Sequence, residues 1–335
     1  MPALDGLRGV AILLVFSIHC FGWPQGGHLG VDLFFVLSGF LITSLLLDEL
    51  DKRGRISVRD FYRRRAARLV PALFVLLVTY LVVDAVKGHN GLARAAIAAL
   101  YLTNIVGSFG PQHGIMFHSG LDHLWSLAQE EQFYLVWPFA LPLVARARRP
   151  IRVLGGVIVF MIVYRIGLAL ITGAPHNRLY GGPDTHSDGL VAGAAVAFLI
   201  ARRPTFRITA LAVAIAAGVG ADAVLSRPMA SGWDAFALPF VEAACVVFLL
   251  AALTLPFWIR LLSIGLLRWF GRISYSLYLW HYMLTWAWGY PRHAWAAAAL
   301  SIVVSYLSTR FLEEPLRRFL GRRRERPAIL SPATV

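Results

Sequence analysis

The chain has 335 residues, 58% apolar and only 15% charged, with a mean hydropathy of +0.65. Soluble domains carry about 25% charged residues, so a water-soluble α/β enzyme, a disordered tail and a fibrous repeat are all disfavoured. Lys and Arg number 32 against 18 Asp and Glu, a net charge of +14, and that excess suits the basic loops of a membrane protein better than a nucleic-acid surface.

The apolar residues fall in blocks of roughly 17–25, long enough to cross about 30 Å of hydrocarbon as helices. They predict an all-α, polytopic transmembrane bundle. In chain order the spans are 8–22, 30–48, 70–86, 125–145, 153–172, 188–201, 208–225, 236–257, 272–290 and 294–312. A further apolar piece at 92–106 is decided by charge. If it dips into the membrane or lies on it, the basic clusters at 52–68, 146–152, 202–207, 260–272 and 310–326 share the cytoplasmic side, with 25 basic residues against five outside. The expectation is therefore ten spans plus one re-entrant or interfacial helix in a multi-pass cell (cytoplasmic or inner) membrane protein with both termini cytoplasmic. Residues 1–315 form the membrane-embedded domain and 316–335 a short basic tail. The run from Val10 to Phe21 leads into another span without a small-residue cleavage site, so it does not read as a removable signal. Cys20 and Cys245 lie in apolar blocks and read as small core residues.

Ionisable groups inside the bilayer cost about 2.5–3.5 kcal/mol at a span centre, so each needs a partner or a task. Arg8 and His19 are eleven residues apart on the first span, about three turns, so they share a face roughly 16 Å apart along the axis. Snorkelling for Arg8 and an interhelical hydrogen bond for His19 are the structural alternatives. Asp32, at the outer end of the second span, either caps that helix or orients a neighbouring base. Ser38 and Gly39 interrupt the same span with small residues that permit close helix approach.

Leu4-Asp5-Gly6-Leu7-Arg8-Gly9 ahead of His19, followed by the run from Gly30 to Thr43, resembles the acyltransferase-3 family of integral membrane O-acyltransferases. The arginine-rich stretch Phe61–Pro71, the segment His123-Leu124-Trp125-Ser126-Leu127 with Glu130, the stretch Gly271–His281 and the ending Phe311–Pro315 extend the resemblance over nearly the whole chain. Two departures stand out. His186-Ser187 precedes Asp188-Gly189-Leu190 where the family often has an arginine, and Met283 stands where proline is common; both bear on the acceptor pocket.

The resemblance implies transfer of an acyl group, often acetyl, from acyl-CoA to a hydroxyl of a surface glycan or glycosylated metabolite, with no metal. Arg64, Arg65 and Arg68 at the cytoplasmic mouth suit the phosphates of the donor, although the topology signal alone also accounts for basic residues there. A hydroxyl needs a base to become a good nucleophile. His19 is the candidate base, with Arg8 holding the donor or developing negative charge and Glu130 completing the catalytic set. His123 and Trp125, with Asp32 and Ser38, are candidates for the acceptor. The aromatics read equally as an interfacial belt. Ser274, Tyr278 and His281 recur at i, i+4 and i+7, so one polar face either lines a tunnel or packs on another helix. Asp188 reads as an N-cap, and Glu313 as an ion-pair partner of Arg310 and Arg317. A proton-coupled secondary transporter using His19 and Asp32 is the alternative class; it expects matched broken helices in two halves, which the sequence does not offer.

Overall fold

The structure is a computed structural model that describes residues 1–110, 119–203, 205–226, 231–289 and 291–316. Among them are fifteen α-helices and no strand. These are α1 Pro2–Phe21, α2 Leu29–Arg53, α3 Val58–Val86, α4 Leu92–Ala99, α5 Thr103–Phe109, α6 Leu124–Arg146, α7 Pro150–Thr172 and α8 His176–Gly181. They continue as α9 Asp188–Arg202, α10 Ala210–Ser226, α11 Ser231–Phe236, α12 Leu238–Thr254, α13 Pro256–Leu262, α14 Gly265–Trp288 and α15 Ala294–Ser308, with a π-helical turn Thr309–Glu313. The expected tail beyond Leu316 lies outside the described residues.

Local chemistry sets the helix ends. Pro2 opens α1 at a position where its missing N–H costs nothing. Gly22 ends it in the left-handed region at φ 70°, where a side chain would be strained. Gly54 ends α2 in the same way, after Lys52 and Arg53 complement the negative end of the helix.

Among the described residues, five helical segments are long and apolar enough to cross a membrane, or seven if each of two bent pairs counts as one span. The ten predicted spans are therefore not all reached, for local reasons. Gln129-Glu130-Glu131-Gln132 lowers the apolarity of α6, α14 carries Arg268, Arg272 and a polar face, and α9 has only 15 residues. The ambiguous 92–106 piece is the bent pair α4 and α5, turned by 113°, so it is not one straight crossing helix. The outer wall is apolar: Val70, Phe74, Val78 and Val82 are exposed every fourth residue along α3, a stripe that only hydrocarbon would solvate well.

Inside, α1 packs along α14 and α2 along α9, and glycines set how closely. A Cβ on Gly271 would sit 1.7 Å from the Asp5 carbonyl oxygen, and one on Gly6 1.7 Å from that of Leu262. Gly39 meets Leu190 across α2 and α9 in the same manner, at 1.9 Å. The Leu-Asp-Gly and Leu-Ser-Gly pieces of the sequence are thus packing seams, the first joining α1 to α13 and α14 and the second joining α2 to α9.

Candidate active site

Five helices converge on one interior cleft of about 660 Å³ of empty space, its open mouth included. From α1 comes Arg8, from α2 Ser38, from α3 Arg65 and Arg68, from α6 Ser126, Glu130 and Tyr134, and from α14 Ser274 and Tyr278. The spacing on α6 is four residues and then four, so its three polar side chains point the same way. Glu130 accepts a hydrogen bond from Ser38 Oγ at 2.9 Å. Arg65 is held by Glu131 and lies 3.5 Å above the Tyr134 ring, so its planar head is fixed at the wall of the cleft. Arg8 makes no ion pair among the described residues while lining the same space, so its charge faces the cleft.

At the far end of α1 the chemistry changes. His19 Nδ1 is 2.8 Å from His281 Nε2, and His281 Nδ1 is 2.8 Å from the Leu277 carbonyl oxygen. With both rings neutral, the carbonyl can only accept, so His281 donates from Nδ1 and accepts at Nε2. His19 then donates from Nδ1 and keeps its lone pair on Nε2; this tautomer is assigned from the network. His281 is fully buried and His19 half-buried. His28, Tyr282 and His281 ring His19 at centroid distances of 5.0–5.5 Å.

The α14 polar face joins the two ends. Tyr278 lines the cleft, contacts Ser126 Oγ at 2.6 Å and donates to the His123 carbonyl oxygen; its ring is 5.8 Å from that of His281. The face both lines the cavity and packs on α6, so the two alternatives are realised together.

A second polar group lies behind. Asp32 Oδ1 is 2.8 Å from His186 Nε2, and His186 Nδ1 is 2.6 Å from the Tyr180 carbonyl oxygen. Asp32 thus orients an imidazole, that of His186. Arg165, fully buried, donates to Asp188 at 3.1 Å and to the Thr185 carbonyl at 2.6 Å. Asp188 is therefore a partner of Arg165 rather than a side-chain cap of α9. Glu242 Oε1 stands 3.9 Å from His186.

Among the candidates, Arg8, Ser38, Arg65, Arg68, Glu130 and Tyr278 meet in the cleft. His19 and His281 meet each other beyond it. His123 stacks on Tyr282 at 4.9 Å and lies 5.5 Å from His281, fully within the interior. Trp125 faces Tyr180 and His186. Arg64 does not line the cleft; it reaches Glu49 at 3.4 Å. Glu313 accepts from Ser276, and Arg310 pairs instead with Glu314 at 3.0 Å; Arg317 lies outside the described residues. Ser126, Tyr282, His28, His186 and Glu242 were not selected from sequence. Ser126 left a trace there as part of the segment His123–Leu127, and His186 as a departure from an expected arginine. No group of three His, Cys, Asp or Glu side chains is placed to hold a metal ion among the described residues.

A helical multi-pass membrane protein whose inner helices carry arginines, a carboxylate and paired imidazoles into its interior is the class these features define. Residues 1–310 match the acyltransferase-3 family model, described as an acyltransferase domain, and the chain belongs to that family. It is 32% identical to the peptidoglycan O-acetyltransferase OatA of Listeria monocytogenes, over 95% of this chain and 56% of that protein. It is 31% identical to Bacillus subtilis YrhL, provisionally named a peptidoglycan O-acetyltransferase, over 95% of this chain and 55% of that one. The match to a Staphylococcus aureus protein provisionally named an O-acetyltransferase, SAS0844, is likewise 31% identical over 95% of this chain and 57% of that one. The chain thus spans little more than half the length of these relatives. No solved structure matches it significantly.

Proposed function

We propose that the protein is a membrane O-acyltransferase that moves an acetyl group from acetyl-CoA to a hydroxyl of a carbohydrate. The observation that carries this reading is the Leu277–His281–His19 chain, which leaves an imidazole lone pair on an inner helix whose other end presents Arg8 to the arginine-lined cleft.

The donor enters that cleft from the cytoplasm, where the 25 basic residues and both termini lie. Arg8, Arg65 and Arg68 engage its phosphates, which suit guanidinium donors. The thioester extends along Ser274 and Tyr278 toward His19. His19 Nε2 takes the proton of the acceptor hydroxyl as its oxygen attacks the thioester carbonyl carbon. The carbon–sulfur bond then breaks, and the CoA sulfur leaves with the proton from His19. Nothing in the sequence is oxidised or reduced. Glu130, turned into the same cleft, sets the local charge opposite the arginines. The relatives' names support a cell-wall glycan as the acceptor.

The test is His19→Ala in detergent-purified full chain, with folding checked by thermal unfolding. General-base help is worth about 10²–10⁴ in rate, so acetyl transfer to a glycan acceptor is expected to fall by that factor. Transfer at the wild-type rate in well-folded variant protein overturns the assignment.

A further inference from the structure

A second cavity, with about 610 Å³ of empty space, opens beside the N-terminal end of α6. Thr103, Asp122, Trp125, Asn177 and Tyr180 are among the side chains lining it. Its walls differ in kind from those of the first cleft. No arginine or lysine lines it among the described residues, so it is poorly suited to phosphates. Trp125 and Tyr180 instead form an aromatic corner, ring centroids 5.1 Å apart and planes tilted by 57°.

Unspent hydrogen-bonding groups sit in the same walls. Thr103 is 3% exposed, and its buried Oγ1 has no partner among the described residues, a costly arrangement unless something else fills the bond. The Trp125 indole N–H makes no hydrogen bond among the described residues. Asn177 donates from Nδ2 to the Gly107 carbonyl at 2.7 Å.

The aromatic corner is also built to stay put. His186, with no exposed surface, bonds the Tyr180 carbonyl at 2.6 Å through one ring nitrogen and Asp32 at 2.8 Å through the other. The His186 ring lies 4.2 Å from that of Tyr180 and 6.0 Å from that of Trp125. Asp32 and His186 together therefore act as positioning residues for both aromatic walls. Asp122 at its edge is the chain neighbour of His123, whose ring stacks on Tyr282.

We infer that this cavity is the subsite for the sugar ring of the acceptor, a neutral pyranose stacked on Trp125 and Tyr180 and hydrogen-bonded by Thr103. The inference rests on the carbohydrate acceptor proposed above. Apolar ring faces of a pyranose suit aromatic walls, and its hydroxyls suit neutral donors and acceptors such as these. The polyanionic donor and the neutral acceptor then have separate clefts with different walls.

Titration calorimetry of the full chain in lipid nanodiscs, with N-acetylated chitotriose as the probe, tests this. The wild type is expected to bind. Thr103→Val and Trp125→Ala should each weaken binding by about three- to ten-fold, with thermal transitions unchanged. Thr103→Val keeps the side-chain shape, so it remains informative if Trp125→Ala folds poorly. Gly155→Ala, outside both cavities, should bind the trisaccharide as the wild type does. Because calorimetry reads binding without acetyl transfer, loss of this subsite is distinguished from failure of the base assignment, which the His19→Ala rate reports. Absent binding to wild type, equal affinity in Thr103→Val, or displacement of the trisaccharide by CoA alone overturns the inference.

Discussion

His281 lies 262 residues from His19 in sequence and 2.8 Å from it in space, nitrogen to nitrogen. Since His281 is itself bonded to the carbonyl four residues earlier on α14, the helix backbone sets the tautomer of both rings. A base is useful only if its lone pair faces the proton it takes. His281→Ala removes that constraint and should lower the turnover number by at least about ten-fold, the loss expected when a base is no longer held in its working tautomer. His281→Gln, which can still accept at the same place, should recover part of it. A purely structural His281 would instead lower the melting temperature in both variants alike and leave the turnover of the folded fraction unchanged.

The cleft proposed for the donor predicts a different kinetic signature. Arg65 is fixed by Glu131 and by the Tyr134 ring, so its fork is presented to a ligand with little further ordering cost. Arg65→Ala should raise the KM for acyl-CoA by about ten-fold or more, since hydrogen bonds to charged groups contribute roughly 1.5–3 kcal/mol. The turnover number should change much less. Arg65→Lys should restore only part of the loss, because an ammonium cannot make the same planar contact. Initial rates over a range of acyl-CoA concentrations decide it, and an unchanged KM would move the phosphate site away from α3.

Packing at the α1–α14 seam predicts a stability effect without any chemistry. A methyl on Gly271 would have to lie 1.7 Å from the Asp5 carbonyl oxygen, and that contact is backbone, which cannot rotate aside. Overpacking of this kind costs about 1–3 kcal/mol or more. Gly271→Ala should therefore lower the thermal midpoint in detergent, and Gly6→Ala should do so by a similar amount. Gly155→Ala is the control, because no atom lies within 4 Å of a Cβ built there; its midpoint should stay at the wild-type value.

How far the sequence led depended on the length scale of the interaction. Helical periodicity put Arg8 and His19 on one face, and likewise Ser274, Tyr278 and His281. The structure turns those faces toward the interior. Such relations are local, within three turns of one helix, and the repeat of 3.6 residues carries them. The partners of those faces are not local. His19 with His281, Ser38 with Glu130 and Asp32 with His186 join residues 92 to 262 positions apart, and no spacing in one chain foretells them. His186 shows the consequence: it was visible as an odd residue in a known pattern, but its pairing with Asp32 depends on how α2 and α9 pack. The count of ten spans is not confirmed for a related reason. Apolar run lengths locate candidate spans, while kinks such as the 96° turn between α12 and α13 arise at a proline in the fold, Pro256, which composition averages over.

Arg165 and Asp188 supply the sharpest test of the buried polar layer. Both are fully buried, 3.0 Å apart, on neighbouring helices α7 and α9. Removing one partner from such a pair leaves a charge in a medium that solvates it badly, at a cost of about 3–5 kcal/mol, whereas replacing both with apolar groups of similar size can be neutral. Arg165→Met should therefore destabilise strongly, since Asp188 would be left buried without its guanidinium partner. Asp188→Leu alone should do the same by stranding the guanidinium. The double variant Arg165→Met/Asp188→Leu should recover much of the lost stability, with a coupling of more than about 1 kcal/mol in a double-mutant cycle read from thermal or denaturant unfolding. If the two single changes simply add, the pair is not an energetic unit, and the anchor of α9 against α7 has to be sought in the bond from Arg165 to the Thr185 carbonyl.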